Sequence, residues 1–209
     1  AALEVDSIKK LIFFVKVTDK IENDNFIESI NIIKKNRMKI INLKDVDYDD
    51  TKFRNKKKFE ASAENVLKKL MKTIDLELVK RDMMVLHTHN LNRGYNPMLS
   101  RAIGLMSDLA EKKKKPLLIV SHIHGFSEKD NPQRIEFVRN CAGKKTEKSY
   151  STTILYPQAK NIVYATTNST HSKLLKQMGI DNVVVFPNSI NIKLFSKKRK
   201  IFLKIEILN

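Results

Sequence analysis

Two His-x-His pairs each close an apolar run. The first run is Met83-Met84-Val85-Leu86-His87-Thr88-His89-Asn90, and the second is Leu117-Leu118-Ile119-Val120-Ser121-His122-Ile123-His124-Gly125-Phe126. Imidazole can serve as a metal ligand, as a general acid or base, or as a hydrogen-bonding group for an anionic or sugar oxygen. Alternation along a strand places His87 with His89 on one face, and His122 with His124 on one face. Ligands of open α/β sheets bind at the carboxyl ends of the strands. If the two strands are parallel neighbours, four imidazoles converge on one pocket. His89 and His124, the last of each pair, are expected nearest to it, whereas His87 and His122 read as core histidines. Gly125 behind His124 lets the backbone turn sharply and approach a ligand closely.

Other candidates surround these pairs. The loop His89-Asn90-Leu91-Asn92-Arg93-Gly94-Tyr95-Asn96-Pro97 is dense in hydrogen-bonding side chains and runs into a helix start. Helix N-termini favour anions. Arg93 there either grips a phosphate or carboxylate or belongs to ordinary turn chemistry. Glu128 reads first as a surface carboxylate, and otherwise as a group that orients a ligand hydroxyl or serves as a base. Asn188 stands at yet another strand end, Asn168 reads as a helix cap, and Cys141 has no paired motif.

These residues need elements to carry them. Short apolar runs alternate with amphipathic stretches, the signature of βαβ units and a parallel sheet. Strands are predicted at Leu11–Val17, Met38–Leu43, Met83–His87, Leu117–His122, Asn161–Thr166 and Val183–Phe186. Helices are predicted at Phe26–Asn36, at Ala61–Lys80, after the Asn96-Pro97 start, and at Ser169–Met178 with Gly179 closing it. Thr51–Lys58 and Ala142–Thr152 read as lysine-rich loops. The fold class is therefore α/β, a Rossmann-like parallel sheet with helices on both faces. All five glycines fall after residue 93, so the chain has neither the dinucleotide fingerprint nor a P-loop.

Composition narrows the partners. At 209 residues with 42% hydrophobic content, the chain can bury a real core. One cysteine excludes an intramolecular disulfide framework and suits a reducing compartment. No run approaches a membrane span of roughly 20 apolar residues. The net charge of +17 sits in lysine blocks such as Lys56-Lys57-Lys58 and Lys112 to Lys115. With 7% aromatics, no Trp and no aromatic–basic stripe, nucleic acid is not the expected partner. The blocks read first as solvated faces, and second as attraction to an anionic membrane surface or a phosphorylated substrate.

Taken in order, the elements from about residue 80 to 192 resemble the N-terminal domain of a family 4 retaining glycosyltransferase, which has the two-Rossmann-domain GT-B fold. The resemblance rests on the strand Asp82 to Asn90 and on Ile119-Val120-Ser121-His122-Ile123-His124-Gly125. It continues through Leu155-Tyr156-Pro157, Tyr164-Ala165-Thr166-Thr167-Asn168 and a helix closed by Gly179-Ile180. It ends in Val185-Phe186-Pro187-Asn188-Ser189-Ile190, similar to the family's hinge segment. The resemblance implies a domain that binds the acceptor, a sugar or lipid-linked molecule, while a nucleotide-sugar is the co-substrate of the complete enzyme. The histidine matching His124 would sit beside the transferred sugar, making it the catalytic candidate. His89, Asn90, Arg93, Gly125, Glu128 and Asn188 are the substrate-binding candidates.

The chain departs from the family's pattern in three places. Thr18 to Asn23 lacks the Gly-Gly loop, Ser189 and Asn191 replace the usual Gly and Asp, and no counterpart of the C-terminal Rossmann domain follows. The expected organisation is a domain over 1–192 and a basic, apolar tail over 193–209. On this reading the chain is inactive until a separate C-terminal domain or chain is supplied. No metal and no resident cofactor are expected, because four histidines come without a carboxylate partner. The expected location is the cytoplasm, either free or peripheral to the inner membrane face. The alternative activity is a metal-dependent hydrolase using both His-x-His pairs as ligands. A noncatalytic module for anionic glycans or lipids is a third class.

Overall fold

A computed structural model describes residues 11–15, 38–42, 45, 53, 55–78, 83–141 and 153–187. The chain is α/β. Strands β1 (Leu11–Val15) and β2 (Met38–Asn42) pair in parallel as a two-stranded sheet. Strands β3 (Met84–His89), β4 (Leu117–Ile123), β5 (Ile162–Thr166) and β6 (Val183–Val185) form a four-stranded sheet in that order, every pair parallel. All six strands expected from the apolar runs are present, with ends shifted by a few residues.

Helix α1 spans Lys56–Leu78, earlier than the run starting at Ala61 suggests. Asn55 explains the difference: its Oδ1 accepts from the Lys58 N–H at 3.0 Å, so the three lysines form the first helical turn rather than a loop. Helix α2 (Pro97–Lys112) begins as read from sequence, with Asn96 Oδ1 accepting from Leu99 N–H at 2.8 Å and Pro97 in the first turn. A short turn of helix, α3 (Ser127–Asp130), and helix α4 (Pro132–Cys141) follow β4 and were not anticipated. Helix α5 (Ser169–Gln177) is capped by Asn168, whose Oδ1 accepts from His171 N–H at 2.9 Å. Gly179 beyond it takes φ +81°, the left-handed conformation that closes a helix. The expected helix Phe26–Asn36, the loop at 142–152, Asn188 and the tail all lie outside the described residues.

The strand order decides where the core lies. Each crossover from β3 to β6 steps the same way across the sheet, and right-handed crossovers then stack their helices on one face. Leu117, Ile119 and Ile123 of β4 join Ile162 and Tyr164 of β5 in one buried cluster. Phe59 and Leu70 of α1, Met98 and Met106 of α2, Val138 of α4 and Leu175 of α5 complete it. Val85, Leu118, Val120, Val163, Ala165 and Val184 alternate to the opposite side and belong to none of it. Of the helices expected on both faces, the described ones therefore serve the Ile119 face. On the opposite side Val85 is 51% exposed. The histidines share that face, which is open at Val85 and Val184 and covered at His122 and Ala165.

Candidate functional site

Register builds the site. His89 pairs with His122 and His87 with Val120, so His87, His89 and His122 project from the same side of two adjacent parallel strands. His124 follows where β4 ends. The ring centroids of His87 and His89 are 4.4 Å apart, those of His89 and His122 5.2 Å, and those of His122 and His124 4.3 Å. His89 Nδ1 lies 3.4 Å from His124 Nε2, within hydrogen-bond reach. The four imidazoles thus gather at one carboxyl edge, as the two sequence pairs suggested.

The roles within the group differ from expectation. His87, read as a core residue, is exposed. His122 is buried at 4% exposure, yet neither ring nitrogen makes a well-formed hydrogen bond, and only the backbone at Phe186 stands near enough to act as a weak partner. A buried polar group without a partner costs about 1–3 kcal/mol, so His122 is not the satisfied core histidine that its sequence position implied. Its ring packs edge-on against Phe186, with centroids 5.6 Å apart.

Loss of water and mutual repulsion keep these rings neutral. Partial desolvation against the sheet, followed by the neighbouring charges of His87, His122 and His124, pulls His89 from 6.5 down to about 4. His87 is lowered by desolvation and then by His124. His122 is lowered by burial and then by His124 and His87, with a backbone hydrogen bond at Phe186 acting the other way. A neutral imidazole offers one donor and one acceptor, so at neutral pH these three present mixed hydrogen-bonding capacity without net charge.

The loops fix the last members. Asn90 takes the left-handed conformation at φ 54°, its N–H donates to His122 O at 2.8 Å, and its Oδ1 accepts from His124 N–H at 3.0 Å. It thereby clamps the ends of β3 and β4 together. Gly125 matters for space rather than for an unusual φ, since any Cβ there would make the ends of two side chains shift. A Cβ there would lie 2.7 Å from both Arg93 Nη1 and Asp130 Oδ2. Those two atoms form an ion pair at 2.9 Å, which takes up charge that a free Arg93 would offer to an anion. Glu128 accepts from Tyr156 Oη at 2.9 Å, so the buried tyrosine orients this exposed carboxylate.

Sequence reasoning passed over Asn92. It is fully buried, with Nδ2 donating to Gly125 O at 2.8 Å and lying 3.4 Å from Tyr156 Oη. The turn after His124 is thereby tied through Tyr156 to Glu128. Burial, then the nearby Glu128, raises Tyr156 far above its ordinary range, with the Asn92 contact opposing, so its hydroxyl stays protonated as a donor. The only sequence signal for Asn92 was its place in an Asn-rich strand-to-helix loop. Of the seven candidate site residues, six are described and connect through these contacts to the turn after β4. Asn188 lies outside the described residues.

Fold and site together define a parallel-sheet α/β domain with an imidazole cluster at its carboxyl edge. Searches among family models, curated proteins and solved structures find no match to this chain. Among the described residues, no helix is long and apolar enough to cross a membrane.

Proposed function

We propose that this domain binds the sugar-containing acceptor of a glycosyl transfer reaction, at the edge formed by His89, Asn90, His124 and Gly125. The observation that carries the reading is the cluster of four imidazoles where two parallel strands end. A sugar hydroxyl both donates and accepts, and a neutral imidazole matches it on both counts. A phosphate would instead call for free cationic groups, and Arg93 is already paired with Asp130. In this reading the nucleotide-sugar donor is held by a second domain facing the same edge, as in the glycosyltransferases the sequence resembles.

The roles then follow from position. His124 is the group that meets the transferring sugar. Its backbone N–H is held by Asn90 and the following carbonyl by Asn92, so the turn reaches the reaction already in shape. A preorganised donor of this kind is worth about 100- to 1,000-fold in rate. Glu128, oriented by Tyr156, accepts from a hydroxyl of the bound sugar.

Saturation-transfer NMR on the purified chain, against a panel of neutral glycosides, tests the proposal. Saturable binding that His124→Ala and His89→Ala weaken, with the fold unchanged by circular dichroism, is the expected result. Absence of saturable binding to any glycoside, or binding indifferent to both substitutions, would refute it.

A further inference from the structure

We propose that His87, His89 and His122 form a binding site for a divalent transition-metal ion of the zinc class. This does not rest on the sugar-binding reading and competes with it at His89, whose ring cannot both ligate an ion and contact a sugar hydroxyl directly. It also departs from the sequence expectation of no bound metal, which followed from the lack of a carboxylate partner.

Geometry comes first. One ligand nitrogen from each of the three rings lies within 4.8 Å of the others. Zinc–imidazole bonds are 2.0–2.1 Å, so two nitrogens on a tetrahedral ion stand roughly 3.4 Å apart. Closing the trio needs movements that bring the nitrogens nearer to one another by no more than about 1.4 Å, within the reach of side-chain rotation. The backbone is well suited to hold such a triangle. Two ligands stand two residues apart on β3, and the third is the register partner of His89 on the hydrogen-bonded neighbour β4. Sheet hydrogen bonds, rather than a loop, set the spacing.

A second, independent feature points to a ligand. His122 is 4% exposed at the centre of the cluster, neither ring nitrogen has a well-formed hydrogen bond, and the one polar group facing it is the backbone at Phe186, so the ring's acceptor nitrogen is left free. Burying an imidazole this way is unfavourable unless something binds it. A metal ion satisfies its free lone pair and removes the repulsion among three imidazoles packed with centroids 4.4 to 5.5 Å apart.

The donor set defines the ion. Imidazole suits zinc, copper, nickel and iron, whereas magnesium and calcium take oxygen ligands. Three neutral ligands leave the ion its double positive charge and one open position. His124 takes a supporting part. His89 Nδ1 faces His124 Nε2 at 3.4 Å, so coordination through His89 Nε2 would leave the Nδ1–H directed at His124. The Nδ1–H then donates to His124, the kind of outer contact that orients metal-bound histidines.

The test uses the full chain, produced without a polyhistidine tag, stripped with a chelator and titrated with Co²⁺ while its visible ligand-field bands are recorded. One equivalent of Co²⁺ should give bands of a four- or five-coordinate site, displaced by Zn²⁺. His87→Ala and His122→Ala should each weaken binding by more than about 100-fold, beyond the 10- to 100-fold typical of outer contacts, and His124→Ala should fall within that smaller range. His171→Ala, outside the trio, should leave binding unchanged. Because His87 is exposed, its variant keeps the test decisive if His122→Ala fails to fold. No stoichiometric binding, binding unaffected by His87→Ala, or equal losses in His171→Ala would overturn the proposal.

Discussion

Acidification of the metal-free chain should destabilise it between pH 7 and pH 5, before most carboxylates take up protons. His89 carries the calculation. Free in the unfolded chain it binds a proton near 6.5, whereas in the fold it does so near 4. Between those values the unfolded state holds more protons, so stability rises with pH through this window. The contribution is complete above 6.5 and is lost as pH falls towards 4. By pH 5 the stability lost through this residue is about 2 kcal/mol if the shift is taken at full value. The ring is partly open to solvent, and screening reduces that to about 1 kcal/mol. His87 and His122 act in the same direction. For a chain of this size, about 1 kcal/mol corresponds to a fall in Tm of about 2–4 °C.

Thermal and urea denaturation in the presence of a chelator, at half-unit pH steps, measures the effect. The same series on His89→Gln should show a shallower slope, because the glutamine does not titrate. A wild-type stability that is flat from pH 7.5 to 5, or that increases on acidification, would refute the argument. So would an unchanged slope in His89→Gln, since it would place the titrating group elsewhere.

Three further outcomes follow from the loops. Gly94→Ala should cost about 2–4 kcal/mol by urea denaturation, combining left-handed strain with overpacking, because φ is +68° and the new Cβ would lie 2.7 Å from Val138 Cγ2. Asn92→Ala should cost about 1–3 kcal/mol by leaving the Gly125 carbonyl unpaired, and glycoside binding measured by NMR should weaken with the loosened turn. Asn96→Ala should lower stability by about 1 kcal/mol in the same denaturation assay through loss of the α2 cap, while Co²⁺ binding at the distant histidines stays unchanged.

Much of this site was legible in the sequence because it rests on periodicity. Apolar runs marked β3 and β4, His-x-His marked their common face, and Asn-Pro marked the start of α2. What remained hidden depended on neighbours. Whether His122 finds partners for its nitrogens is decided by what packs beside β4, which no local pattern records. The role of Gly125 likewise depends on Arg93 and Asp130, which come from separate segments. Two misses were nonetheless readable. Asn131-Pro132 repeats the Asn96-Pro97 signal and starts α4, and Asn55 before the lysine run gives α1 its earlier beginning. In both cases charged residues on an exposed face hid the start signal.

The same alternation that makes the core also makes the site. Leu117, Ile119 and Ile123 occupy one parity of β4 and are buried beneath helices, which leaves His122 on the other parity. A slip of β4 by one residue would exchange the two sets, bringing imidazole into the apolar cluster and isoleucine onto the open face. Burial of the isoleucines opposes that slip, and Asn90 opposes it again by holding His122 O and His124 N–H at the strand ends. The positions of the imidazoles therefore need little stabilisation of their own. Hydrophobic burial on the far side of the sheet fixes them, which is how the buried His122 can keep its nitrogens without well-formed hydrogen bonds in a folded chain and hold its acceptor ready for a ligand.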